Sequence, residues 1–239
     1  MGTSSMAGRT LEADGFFVRR GVLGPGQVEQ VREKTGLVVR DERVKPFGVR
    51  SIARRCEAVA ALAELPAVGA IVGEAIDAPF QLVRSILFDK LPGSNWHVGW
   101  HQDLSIAVKE RPATELPGYT GWTEKEGVTH VQAPREVLDR MTTLRIHLDD
   151  APSENGPLRV IPGSHAEGRL NSEAIEEWIG RGEAVTCEMK AGDVLVMRPQ
   201  LLHASHKSNG STFLHRRVFH FEFAPVELLP PALAWAENY

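Results

Sequence analysis

Thr142-Thr143-Leu144-Arg145-Ile146-His147-Leu148 alternates Thr143, Arg145 and His147 against Leu144, Ile146 and Leu148. That is the period of two that sends successive side chains to opposite faces of a β-strand, and it predicts a half-polar strand. The same reading extends in both directions. Residues 80–91, 96–104, 158–161, 184–189, 193–197 and 216–223 read as further strands, broken up by Gly, Pro and Asn. Many short strands with turn signals between them point to a sandwich or barrel. Asn155-Gly156 is a hairpin signal, because both residues adopt positive φ, and Pro162-Gly163 is a second turn signal.

Before residue 80 the pattern changes. A short helix end leads into a strand at Phe16, Phe17 and Val18, and Gly24-Pro25-Gly26 then breaks the chain. Val28 and Val31, three apart, suit one face of a short helix ending near Gly36. Residues 57–76 look helical in two pieces separated by Pro66, since proline interrupts the helical hydrogen-bond ladder. A later helix over 172–179 is closed by Gly180. The expectation is a mainly β protein with flanking helices, helices first and then a β-sandwich. Residues 105–141 hold Pro112, Pro117, Gly118, Gly121 and Pro134, with a helical turn over 134–141. Connections this long form lids or binding loops, and this one is expected to act as a lid or substrate loop.

The 239 residues, 42% hydrophobic and 24% charged, suit one large domain over 1–239, and no linker, charge block or repeat divides them. A net charge of −4 with interspersed signs argues against nucleic acid as a partner. No apolar run approaches the roughly 18 to 20 residues of a membrane span. The start, Met1-Gly2-Thr3-Ser4-Ser5-Met6, lacks the apolar region of a secretory signal, and Met6 stands where a myristoylation signal wants Ser or Thr. Cys56 and Cys187 are the two cysteines, which excludes a disulfide scaffold and reads as a reducing cytoplasm.

His101-Gln102-Asp103 carries the first chemical signal. Residues i and i+2 of an extended strand share a face, so His101 and Asp103 are expected to project together. About a hundred residues later, Leu201-Leu202-His203-Ala204-Ser205 offers a third ligand. Two imidazoles and one carboxylate with open positions is the ligand set of non-haem Fe(II) oxygenases. Of the other histidines, His206 and His215 flank a Ser/Asn/Gly-rich loop, His147 and His220 share faces with Arg145 and Arg216, His130 lies in the long excursion and His165 in a turn. His97 has the parity of His101 and Asp103 and is the structural rival, although a ligand four residues before His101 lies far from Asp103. Arg216 is the other key residue. The co-substrate 2-oxoglutarate carries a distal carboxylate that wants a buried cation, and guanidinium supplies a fixed fork with a permanent charge. Phe219, Phe221 and Phe223 fall on the face opposite Arg216, and Arg217, with their parity, belongs at an outer edge or in a salt bridge.

Trp-His-Gln-Asp at 100–103, Leu-Asp-Asp at 148–150, Glu-Asn-Gly-Pro-Leu-Arg-Val-Ile-Pro-Gly-Ser-His at 154–165, Leu-Leu-His-Ala-Ser at 201–205 and Arg-Arg-Val-Phe-His-Phe-Glu-Phe-Ala at 216–224 together resemble the phytanoyl-CoA dioxygenase family. The stretch Asp-Gly-Phe-Phe-Val-Arg-Arg-Gly-Val-Leu at 14–23 resembles how that family begins, so the likeness covers roughly residues 11–225. The resemblance implies a double-stranded β-helix, a cupin-like jelly roll enclosing Fe(II). It implies His101, Asp103 and His203 as ligands, with 2-oxoglutarate chelating the iron and reaching Arg216. Ser205 matches a position that helps hold the co-substrate, and Ile86 and Arg145 fall where members line its pocket. Arg145 is a departure, because some members carry an aromatic residue there, and it could add a carboxylate contact or bind an acidic substrate.

The implied reaction uses O₂, converts 2-oxoglutarate to succinate and CO₂, and oxidises a C–H bond of a small organic substrate. Asp103 favours hydroxylation or a related oxidation, since halogenating relatives lack that carboxylate. Candidate substrate-facing residues are Trp100, Lys109, Arg111, Tyr119, Trp122 and Arg145, whose basic members point to a carboxylate, phosphate or CoA-bearing substrate. The alternative is a non-oxidative cupin-like metal protein, an isomerase or binding module, which needs the histidines but not Arg216.

Overall fold

The computed structural model describes residues 6–39, 48–90, 95–208 and 215–237. Three features named above, the start at Met1–Ser5, the strand end at Leu91 and the Ser/Asn/Gly-rich loop at 209–214, lie outside the described residues. The strands are β1 (Phe16–Arg19), β2 (Gly48–Arg50), β3 (Phe80–Lys90), β4 (Val98–His101), β5 (Ser105–Val108), β6 (Thr120–Lys125), β7 (Val128–Gln132), β8 (Thr142–His147), β9 (Leu158–Val160), β10 (Val185–Cys187), β11 (Val194–Met197), β12 (His203–Ser205) and β13 (Arg216–Pro225). The helices are α1 (Pro25–Val39), α2 (Ile52–Arg55), α3 (Glu57–Ala63), α4 (Pro66–Ala75), α5 (Arg135–Leu138) and α6 (Ser172–Gly180).

Two antiparallel sheets make the jelly roll. The larger has the order β1-β11-β8-β13-β3-β2 and the smaller β10-β9-β12-β4. Alternation on β8 and β13 decides what goes where. Leu144 and Ile146, with Phe219, Phe221 and Phe223, face outward and are sealed by Val28, Val31, Ile52, Val59, Val68 and Ile71 from the helices. Each such side chain stabilises the fold by about 1.5–3 kcal/mol when fully buried. The opposite faces point between the sheets, where Phe16, Leu158, Val160, Cys187, Leu195 and Met197 form a second core. Strand β8 is half-polar as expected, yet buried at every position. Its polar face is turned to the interior, where Arg145 lines a cavity, and alternation alone cannot distinguish an interior polar face from solvent.

Other departures are local. Helix α1 runs past Gly36 to Val39, and the turn at 11–15 precedes β1 where a helix end was expected. Pro66 separates α3 from α4 and begins the latter, the first-turn position where its missing N–H is harmless. At Asn155-Gly156 only Gly156 has positive φ, at 57°. Residues 105–141 are a packed unit, not a loop. They fold as a third antiparallel sheet, β5-β7-β6, followed by α5. Ile106, Val108, Val131, Val137 and Met141 bury against Val83, Ala224, Leu233 and Trp235. The β6–β7 hairpin turns at Glu126 and Gly127, both at positive φ (55° and 76°), without the Asn-Gly or Asp-Gly signal that would have announced it. No single helix among the described residues is long and apolar enough to cross a membrane. Helices α3 and α4 together reach that length and composition, but they bend by 49° and lend Val59, Leu62, Val68, Ile71 and Val72 to the core.

Candidate metal centre and active site

Pairing within the smaller sheet brings the two histidines together. β12 lies antiparallel to β4 with His203 directly opposite His101, and their ring centroids are 4.2 Å apart. Strand β4 ends at His101, so Asp103 is not a strand residue. Its backbone N–H instead donates to Pro199 O at 2.9 Å, which turns the carboxylate back toward the rings. Asp103 Oδ2 lies 3.5 Å from His203 Nε2 and Oδ1 lies 3.9 Å from His101 Nε2. Among the described residues this is the one group of three such side chains close enough to share an ion, all ligand atoms lying within 4.8 Å of one another. Gln102, pointing the other way, clamps the motif. Its amide donates to Gly168 O and Gln200 O at 2.7 Å each and accepts from Leu170 N at 2.8 Å.

The tautomers suit a metal. Nδ1 of His101 donates to Gly99 O and Nδ1 of His203 to Leu201 O, both at 2.8 Å. Each Nε2 then presents its lone pair toward Asp103. Burial, opposed by Asp103, lowers His203 to about 4, so the ring is neutral at physiological pH. Burial alone would raise the Asp103 carboxyl, but His203, His220, His101 and Arg84 outweigh it and hold it well below the usual carboxylate range.

A cavity of about 240 Å³ opens beside the triad. At one end β3 and β13 pair Lys90 with Arg216. Arg216 is 4% exposed and donates to Gly156 O, while its Nε has no partner. Arg145 is also buried, donates to His220 Nδ1 at 3.2 Å and leaves its own Nε unpartnered. Lys90 Nζ donates to Ser205 Oγ at 3.0 Å and to His206 O at 2.7 Å. Ser205 thus accepts from Lys90 and keeps its own proton to donate. Burial, then Arg145, pushes Arg216 down to about 9, and burial, then Arg216 and Arg145, pushes Lys90 down to about 7. Three buried cations, two of them with orphaned N–H groups, form a receptor for an anion, since such groups are costly unless paired. The donor set around the triad and this cationic end fit Fe(II) and a dicarboxylate co-substrate.

The phytanoyl-CoA dioxygenase (PhyH) family profile matches residues 11–218. The chain belongs to the phytanoyl-CoA dioxygenase family. It is an Fe(II)- and 2-oxoglutarate-dependent dioxygenase that uses O₂. No curated protein sequence matches it. Among solved structures, HygX from Streptomyces hygroscopicus with nickel and 2-oxoglutarate bound is 20% identical, with a TM-score of 0.64 over 91% of this chain and 85% of that one. AviO1 from Streptomyces viridochromogenes is 21% identical, with a TM-score of 0.66 over 92% and 94%. EctD from S. alaskensis with bound Fe is 20% identical, with a TM-score of 0.70 over 91% and 75%. These likenesses place the jelly roll among known folds.

For this member of the family, the anticipated residues sort clearly. Ile86, Arg145, Ser205 and Arg216 line the cavity with the triad. Arg217 pairs with Asp149 through two bonds of 2.8 Å, on the outer side. His97 stacks near His206, with centroids 5.6 Å apart, away from the triad. His220 lines the cavity and donates from Nε2 to Glu222 at 3.0 Å, because Arg145 can only donate to its Nδ1. The substrate-facing candidates other than Arg145 do not reach the cavity. Trp100 packs on Leu170, Trp178 and Arg159, while Arg111, Tyr119 and Trp122 line a separate surface groove, and Lys109 is exposed. Arg50, Arg84, Lys125 and Glu222 line it instead, and Lys90 flanks Ser205. Lys90 and Glu222 were legible in principle, since Arg84, Ile86, Phe88 and Lys90 share one parity and Arg216, His220 and Glu222 another. Arg50 and Lys125 carried no signal, because their strands were not recognisable.

Proposed function

We propose that this dioxygenase hydroxylates, or otherwise oxidises, a C–H bond of a small organic substrate within the 240 Å³ cavity. The observation that carries the reading is the adjacency of the His101, Asp103 and His203 cluster to the unpaired cations of Arg216 and Arg145. His101, Asp103 and His203 would hold Fe(II). Arg216 and Ser205 would hold the distal carboxylate of 2-oxoglutarate, with Ile86 and Arg145 lining its bed. Once loaded, Fe(II) with 2-oxoglutarate and O₂ supplies the two-electron oxidation, leaving succinate and CO₂.

The chain's own part is placement and exclusion of water. Gln102 and Pro199 hold the ligand loop, Gly156 O orients the Arg216 fork, and the β5-β7-β6 unit, which brings Lys125 to the cavity, would serve as its lid. Retention of Asp103 leaves no vacancy for halide and favours hydroxylation. A non-oxidative metal protein would have no use for two buried arginines beside the ligands. HygX has been seen with hygromycin B and EctD with 5-hydroxyectoine, both small molecules, which supports a substrate of that scale.

Anaerobic addition of Fe(II) and then 2-oxoglutarate is expected to give a weak visible charge-transfer band that His203→Ala and Asp103→Ala both lose. Wild-type protein showing no band, and forming no succinate with O₂, would sink this assignment.

A further inference from the structure

The cavity has two cationic ends, and the co-substrate accounts for one. Along β3 the inward face runs Arg84, Ile86, Phe88, Lys90, and its partner β13 sets Glu222 opposite Arg84 and Arg216 opposite Lys90. Six residues at about 3.3 Å each separate these ends by roughly 20 Å of strand. Apolar Ile86 and Phe88 lie between. A five-carbon diacid anchored at Arg216 and at the ligand triad leaves the Arg84 end untouched.

That second end is built from three different elements. Arg84 comes from β3, Arg50 from edge strand β2, whose register sets it opposite Ile86, and Lys125 from the end of β6 in the covering unit. Arg84 is satisfied, donating to Glu222 at 3.0 Å and to Ser105 O at 3.1 Å. Arg50 makes one long ion pair, Nε to Oε2 of the exposed Glu126 at 3.8 Å, beyond hydrogen-bond range. The Lys125 side chain has no hydrogen bond or ion pair among the described residues. Glu222 is spoken for by Arg84 and His220, and Asp103 belongs to the triad. Lys125 therefore faces the cavity with no carboxylate partner among the described residues, and Arg50 with only the long ion pair to Glu126, which leaves its guanidinium N–H groups free to take a closer oxyanion. Burial, then the neighbouring arginines, holds both below their ordinary values.

We infer that the substrate is a small organic acid whose oxyanion is gripped by Arg50 and Lys125, presenting its carbon chain to the triad face. This rests on the oxygenase reading above. It replaces Lys109 and Arg111 as the source of acid selectivity, and it makes the covering unit part of the binding site. A carboxylate and a phosphate share the chemistry that Arg50 and Lys125 recognise.

The test uses the protein loaded anaerobically with Fe(II) and 2-oxoglutarate, titrated with phenylacetate, phenyl phosphate, inorganic phosphate and the neutral phenylacetamide, and read by displacement of the charge-transfer band and by melting temperature. The wild type is expected to bind one or more of the anions and not the amide. In Arg50→Gln/Lys125→Gln, anion affinity falls roughly tenfold to a hundredfold, the scale of lost charge-assisted bonds, while 2-oxoglutarate affinity is unchanged. Comparison of phenylacetate with the phosphates tells carboxylate from phosphate. The inference is overturned if the band forms normally but no anion binds, if the amide binds as well as the acids, or if the double variant binds the acids as the wild type does. A band absent from the wild type would instead indict the cofactor assignment beneath it.

Discussion

Replacing Arg216 with methionine is expected to stabilise the ligand-free protein while disabling co-substrate binding. The guanidinium is 4% exposed, beside Arg145 and Lys90, and its one hydrogen-bond acceptor is Gly156 O. Held at about 9, well below the ordinary arginine value, it carries a cost of up to roughly 5 kcal/mol at 1.36 kcal/mol per decade. A cation with a depressed folded value is charged in both states below pH 9, so the full cost is present at neutral pH and is relieved only as pH rises from about 9 toward the ordinary arginine value. Methionine fills similar space without the charge, but it strands Gly156 O at a cost of about 1–3 kcal/mol. The net gain is about 2 kcal/mol, or roughly 4–8 °C in Tm for a chain of this size. Loss of a buried charge partner should weaken 2-oxoglutarate by about 2–5 kcal/mol, thirtyfold or more. Thermal melts with and without 2-oxoglutarate, together with anaerobic titration of the visible band, read both quantities. A variant that melts several degrees lower and binds 2-oxoglutarate as tightly as the wild type would show that Arg216 serves the fold and not the co-substrate.

Two further outcomes follow from neighbouring groups. Lys90, lowered to about 7 by burial and by the two arginines, should regain its proton when a dianion arrives nearby. Its charge is present below pH 7 and lost above it, so 2-oxoglutarate Kd should rise with pH above 7, by at most about tenfold per pH unit, and Lys90→Met should flatten that profile. An equally steep profile in the variant would exonerate Lys90. Gln102→Ala removes three hydrogen bonds from the loop carrying Asp103 and should cost roughly 2–3 kcal/mol, lowering Tm by about 5–10 °C. Metal affinity should fall about tenfold to a hundredfold, as when a ligand's supporting partner is lost, and wild-type melting with wild-type metal affinity would contradict the clamp.

Much of the frame could be read from residue spacing. The alternation of 142–148 and 216–223 placed Arg145, His147, Arg216 and His220 on one face and the phenylalanines on the other, as found. Parity joined His101 to Asp103, although by a different route: the strand stops at His101, and a backbone bond to Pro199 completes the turn. The unit at 105–141 was legible as an excursion but not as a sheet, because its hairpin turns on Glu126-Gly127. The remaining substrate-facing candidates lie away from the cavity: Trp100 and Trp122 are on strand faces that do not line it, and Lys109, Arg111 and Tyr119 fall in the connection between β5 and β6.

The sequence by itself determined which residues share a face, because a strand's period of two is a local property of its backbone. It also contained the ordered motifs that mark the family. Only the tertiary structure decided which faces meet. The β12–β4 register sets His203 against His101, the β13–β3 register sets Arg216 against Lys90, and the β2–β3 register swings Arg50 over the cavity. Strand register depends on pairings between segments far apart in the chain, where a shift of one residue would turn every one of these side chains to the opposite face.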